Sequence, residues 1–136
     1  MLELSEAKKA LPSMLVSLLE ELRHRGWILM RWGAAEEPEL LAAFQRWAEC
    51  TDVFVLRSEQ SASSYRVPST EHEDIIAPKH VLFQQHADSV TALRSILRMP
   101  PPGAPGAPDE LRIAEPHCRM SAKMPSAITI RPLKQP

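Results

Sequence analysis

The sequence predicts an α+β fold. An N-terminal helix and a second helix near residues 88–99 are expected to pack on a small antiparallel sheet of three or four strands. A proline-rich C-terminal arm follows them. Three observations support this fold: a stripe of leucines near the start, three short segments rich in strand-forming residues, and many prolines after residue 99. The chain has 136 residues, of which 44% are hydrophobic, which suits one domain with one core.

The first helix is indicated by apolar residues that recur at spacings of three and four, which place them on one helical face. These residues are Leu11, Met14, Leu15, Leu18, Leu19 and Leu22. Basic residues at 23–25 suit the last turn, and Gly26 can adopt the left-handed conformation that ends a helix. Because proline fits only in a first turn, Pro12 predicts a start near Leu11, or an earlier start with a kink at Pro12.

Three segments have the composition of strands. Residues 27–32 and 52–57 are apolar on both alternating faces, as in strands covered on both sides. Residues 63–67 alternate, so that Tyr65 is expected to face the core and Arg66 to face out. Since a short polar connection joins the last two segments, we expect them to pair as an antiparallel hairpin.

The segment 36–48 has a pattern that fits two structures. Its apolar residues Leu40, Leu41, Phe44, Trp47 and Ala48 suit an amphipathic helix, and the acidic residues around Pro38 suit a helix start. The same residues, taken with a period of two, form a strand that would extend an antiparallel sheet. The helical period fits slightly better, and both structures stay open.

The second half of the chain predicts one helix and then an arm. After a segment of undetermined structure at 79–86, Asp88 or Ser89 can cap a helix that runs to Met99. The predicted organisation is therefore a single α+β domain over 1–99, a proline-rich linker over 100–108, and a basic arm over 109–136. The arm contains one candidate edge strand, at 127–131, between two prolines.

Charge is unevenly distributed, although the whole chain has a net charge of only −1. Residues 36–74 contain nine acidic and three basic residues, whereas residues 111–136 contain five basic residues and one acidic residue. The arm therefore either folds back over the acidic part or stays free to bind an anionic partner. Because the basic residues are not interleaved with aromatic ones, no sequence-specific nucleic-acid binding is expected.

Motifs that would indicate an enzyme are missing from the sequence. It has no Gly-x-Ser-x-Gly motif, no glycine-rich phosphate loop and no cysteine–histidine spacing typical of zinc, so we predict no catalytic residues, metal or cofactor. Its two cysteines, Cys50 and Cys118, are expected to be buried thiols without a disulfide. No segment has the features of a signal peptide or a membrane span, which predicts a cytoplasmic protein.

The order of several segments resembles an uncharacterised family of small bacterial proteins. The resemblance rests on Arg46-Trp47, on residues 52–57, 64–68 and 91–97, and on Pro100-Pro-Pro-Gly103; it covers about residues 46–108, together with 129–132. It implies a bacterial, cytoplasmic setting and supplies no activity or site.

Two functional hypotheses follow. The first is a non-enzymatic interaction or regulatory module that binds another protein through its sheet surface or its arm, and its candidate binding residues are Trp32, Arg57, Tyr65 and Arg66. The second is a small-molecule-binding protein or an enzyme without a recognisable motif. Its pocket would lie between sheet and helices and use Arg57, Arg66, His86 or Arg94.

Overall fold

A computed structural model describes residues 13–33, 38–69, 75, 77–118 and 128–130, and the side chains of Trp32, Gly33, Pro38, Glu39 and 128–130 are not described. Its elements in chain order are α1 (Ser13–His24), β1 (Ile28–Gly33), β2 (Pro38–Arg46), β3 (Cys50–Ser58), β4 (Ser61–Pro68), β5 (His80–Val81), β6 (Phe83–Ala87), α2 (Ser89–Leu97), β7 (Arg112–Ile113) and β8 (Ile128–Ile130). The α+β class and both helices are confirmed.

The main sheet is antiparallel and has the strand order β6-β4-β3-β2-β1-β8 within the described ranges. It contains six strands, rather than the three or four expected. The predicted hairpin is confirmed, because Val53 of β3 lies opposite Tyr65 of β4. A second sheet consists of β5 and β7, which pair antiparallel.

The segment 36–48 supplies a strand, β2, and the helical alternative is wrong there. Leu41 and Ala43 are buried against the helices, whereas Leu40, Ala42 and Phe44 are buried on the other face of the sheet. A strand with two buried faces carries apolar residues at successive positions. The pattern therefore lost the alternation that would have identified it as a strand.

Helix α1 packs on the sheet through the predicted leucine face. Leu15, Leu19 and Leu22 are buried in one cluster with Trp27, whereas Met14 is 51% exposed. Met14 therefore lies at the margin of the face instead of in the core, and Leu11 lies outside the described residues. The helix ends as expected, because Gly26 has φ of 85°.

Helix α2 covers the same face of the sheet as α1. Asp88 caps it by accepting a hydrogen bond from the Thr91 backbone N–H at 3.0 Å. Its buried residues Leu93 and Ile96 join the cluster that contains Phe54 of β3. Neither described helix is both long enough and apolar enough to cross a membrane.

The other face of the sheet is covered in part by the beginning of the C-terminal arm. Cys118 is buried there in a cluster with Val53, Val55 and Tyr65. The arm reaches this face by pairing β7 with β5, and the backbone N–H of Ala114 donates to Lys79 O at 3.0 Å. Residues 111–118 thus lie on the sheet, whereas 119–127 and 131–136 lie outside the described residues.

Candidate functional site

A cleft lies between β6 and the C-terminal arm. It has a volume of about 370 Å³ and is partly open to solvent. Leu82, Phe83 and Gln84 form one wall, and Pro108, Arg112 and Glu115 form the other. Because one wall comes from the sheet side and the other from the end of the linker and the arm, the shape of the cleft depends on how the arm is held.

Gln84 holds the arm against β6 with both ends of its side-chain amide. Its Nε2 donates to Ile113 O at 3.2 Å, and its Oε1 accepts from the Glu115 backbone N–H at 2.9 Å. The same Oε1 lies 3.1 Å from Cys118 Sγ and accepts its S–H. These contacts fix the orientation of the amide, because a backbone N–H can only donate and a carbonyl can only accept.

A network of polar side chains continues from Cys118 across the sheet face. His86 Nε2 lies 3.6 Å from Cys118 Sγ, and His86 Nδ1 lies 2.8 Å from Ser63 Oγ. Arg57 then donates to Ser63 Oγ at 2.9 Å and to His117 O at 2.6 Å. This network joins side chains of β3, β4 and β6, and its members Arg57 and His86 contact the arm and therefore tie it to the sheet.

The hydrogen bonds among Gln84, Cys118, His86 and Ser63 all run in one consistent donor-to-acceptor direction. Since the Cys118 S–H points to Gln84, the sulfur presents lone pairs to His86, and the imidazole carries its proton on Nε2. Its Nδ1 then accepts the hydroxyl proton of Ser63. Burial lowers the pKa of His86; the carboxylate of Glu115 partly opposes that effect, whereas His117 and Arg57 add to it. The imidazole is thus neutral at pH 7.

This direction is the opposite of that in a cysteine–histidine nucleophile. In such a pair the imidazole accepts the thiol proton, and a cation lowers the thiol pKa. Here burial raises the pKa of Cys118 to about 11, and the nearby charge of Arg57 does not offset it. The arrangement favours a structural role for the thiol.

We therefore expect Cys118 to react slowly with iodoacetamide at pH 8. With its pKa near 11, its thiolate fraction is lower than that of an ordinary cysteine by about 100-fold, and burial slows access further. Peptide-resolved mass spectrometry over a time course measures the rate for Cys118 separately from that for Cys50. Alkylation at the rate of free cysteine would show a reactive thiol and contradict the structural role.

The candidate residues from the sequence fall in different places. Arg57 and His86 are brought together through Ser63, and Tyr65 lies on the same face, where its hydroxyl donates to Ile75 O at 2.9 Å. Arg94 lies on α2, 3.1 Å from Met14 Sδ, outside the cleft lining. For Trp32 only the backbone is described, opposite Leu40 in the β1–β2 pair.

Arg66 does not face solvent as expected. Its side chain is fully buried, on the face of the sheet that the helices cover. Its Nε and Nη2 donate to the carboxylate of Asp52 at 2.6 and 2.9 Å, and Trp47 Nε1 donates to the same carboxylate at 2.9 Å. Burial lowers the pKa of Arg66, but the hydrogen bond and charge of Asp52 outweigh it and raise the pKa. The expectation was wrong because both faces of β4 are covered.

None of the six residues that line the cleft was predicted from the sequence, and three of them are polar: Gln84, Arg112 and Glu115. None belongs to a recognisable motif, and Gln84 meets its partners 29 to 34 positions later in the chain. Arg112 is one of the five basic residues of 111–136 and has no sequence feature that sets it apart from the others. The pairing of β5 with β7, which brings the two walls together, involves two residues on each strand and leaves no periodic signal.

The described residues contain no group of three or more histidine, cysteine or acidic side chains that could hold a metal ion. Cys50 and Cys118 are both free and buried. Comparison with family models, curated proteins and solved structures found no match. The resemblance to a bacterial family therefore stays a prediction.

Proposed function

We propose that this chain is a non-enzymatic interaction module of the cytoplasm, which binds an extended segment of another protein in the cleft between β6 and the arm. The observation that carries the proposal is the position of the cleft. It lies at β6, which is the terminal strand on its side of the sheet in the described part of the chain. A terminal strand can pair with an extended segment through its backbone, and pockets beside it then select side chains.

Exposed apolar side chains next to the cleft support a protein partner. Leu111 is 58% exposed and Ile113 is 78% exposed. Ile113 follows Arg112 in β7 and, because side chains alternate along a strand, projects from the face opposite to that of Arg112, which lines the cleft; Leu111 immediately precedes the strand. A partner that continues past the cleft would cover them, whereas a small molecule inside it would leave them in water.

Small-molecule binding is the second candidate, and the volume of the cleft favours it. About 370 Å³ lies at the lower end of the range for ligand pockets. The cleft lies between β6 and the arm, however, and not between the sheet and the helices where the sequence placed this candidate's pocket.

A display experiment tests the proposed function. The chain is panned against a phage library of random dodecapeptides, and bound peptides are located from changes in backbone amide chemical shifts. We expect the changes at residues 82–87 and 108–115. Failure to recover any peptide, or binding far from these residues, would overturn the proposal.

A variant that narrows the cleft should weaken peptide binding. Pro108→Trp should weaken the binding of a recovered peptide by about tenfold or more, since a bulky ring would occupy the space between the walls. Pro105→Trp is the control, because Pro105 is an exposed proline of the same linker that does not line the cleft. Equal affinity of both variants and the unaltered chain would place the binding site elsewhere.

A further inference from the structure

Arg112 differs from the other polar groups of the cleft because its guanidinium makes no hydrogen bond or ion pair with any described residue. All six residues that line the cleft are described, and Arg112 is the one that carries a positive charge. An arginine offers several N–H donors in a planar fork, which matches the two oxygens of a carboxylate.

The remaining polar groups of the cleft are already engaged. Gln84 uses its amide nitrogen on Ile113 O and its amide oxygen on Glu115 N–H and Cys118 S–H. The carboxylate of Glu115 lies 3.7 Å from Nε2 of His86, and its side chain is 57% exposed. Among the side chains that line the cleft, Arg112 is therefore the donor without a partner in the described part of the chain, while Glu115 retains capacity to accept a hydrogen bond from an N–H of a ligand.

Apolar groups lie beside this donor. Leu82 is half-buried on the sheet wall and Pro108 is half-buried on the opposite wall, whereas the side chain of Phe83 packs against the cluster under the helices. An occupant that matches the cleft thus combines one carboxylate with a neighbouring apolar side chain and a backbone N–H.

We infer that the cleft recognises a carboxylate of an extended peptide, which pairs with the Arg112 guanidinium while the adjacent apolar side chain packs on Leu82 and Pro108. This inference rests on the proposed function and adds the chemical class of the bound segment. The carboxylate can come from an Asp or Glu side chain or from a free C-terminus, since both present the same two oxygens.

Three synthetic probes separate these sources. They are acetyl-Val-Leu with a free C-terminal carboxylate, acetyl-Val-Leu-amide, which is neutral, and acetyl-Asp-Leu-amide, which carries a side-chain carboxylate. Each is titrated into the ¹⁵N-labelled chain while the amide shifts of residues 82–84 and 112–115 are followed. At least one carboxylate probe should bind about fivefold more tightly than the neutral probe, and the tighter carboxylate probe identifies the source.

The variant Arg112→Gln should remove this preference, and the preference should also fall with added salt because a partly exposed ion pair is screened. Arg46→Gln, at an exposed arginine of β2 outside the cleft lining, is the matched control and should keep it. The inference is overturned when the neutral probe binds equally tightly, when Arg112→Gln keeps the preference, or when no probe shifts these amides. The display experiment judges the proposed function separately, since library peptides that bind the cleft without a carboxylate preference would support the function and refute this inference alone.

Discussion

Replacing Asp52 with alanine should lower the free energy of unfolding by about 3–5 kcal/mol, the largest effect we expect from a single substitution in this chain. The carboxylate accepts two hydrogen bonds from Arg66 and one from Trp47, and both Asp52 and Arg66 are buried. Its removal leaves the guanidinium charge in the interior without a counter-ion. Urea unfolding followed by circular dichroism measures the loss.

A double variant separates the cost of an unpaired charge from the contribution of the pair. Asp52→Leu combined with Arg66→Met removes both charges, so its stability should lie within about 1 kcal/mol of the unaltered chain. A loss below about 1 kcal/mol for Asp52→Ala alone would mean that Arg66 reaches water or another acceptor, and it would contradict the buried pair.

Leu19→Ala should lower the free energy of unfolding by about 2–5 kcal/mol, because it leaves a cavity where α1 meets the sheet. Leu19 is 2% exposed and packs in the cluster shared by both helices and the sheet. Met14→Ala on the same helix is the control, since Met14 is 51% exposed and its truncation should cost less than about 1 kcal/mol. Equal losses for the two variants would show that α1 does not pack through its leucine face.

Leu19→Ala and Asp52→Ala test two features of the fold, of which only the first could be predicted from the sequence. The leucine face of α1 follows directly from a period that only a helix can place on one side, and the left-handed Gly26 marks its end. The pairing of Asp52 with Arg66 could not be predicted in the same way. Because β4 is covered on both faces, the alternation of polar and apolar residues that suggested an outward Arg66 does not report exposure in this strand.

The strand β2 failed to stand out for the same physical reason. Leu40 and Leu41 are neighbours in the sequence, and they are buried on opposite faces of the sheet. A helix also accommodates adjacent leucines on one apolar face, so the pattern alone did not distinguish the two structures. The register with Phe54 and Leu56 of β3 decides between them, and that register is a long-range property.

The candidate site was the least predictable part of the chain. Arg57 and His86 were among the residues considered for binding, but nothing in the sequence placed Ser63 between them or Cys118 beside His86. The cleft forms because a linker of prolines returns the arm to β6, where Gln84 binds backbone groups of the arm. Backbone partners leave no mark on residue identity, and therefore give no sequence signal.

The central claim is that a partner segment binds in the cleft between β6 and the arm, and paramagnetic relaxation tests it most directly. A library-selected peptide with a nitroxide spin label at its N-terminus is added to the ¹⁵N-labelled chain, and loss of amide signal intensity is measured residue by residue. The account predicts the strongest losses in β6 and in residues 108–115. Losses concentrated instead on α1 and α2, with β6 and the arm unaffected, would contradict it.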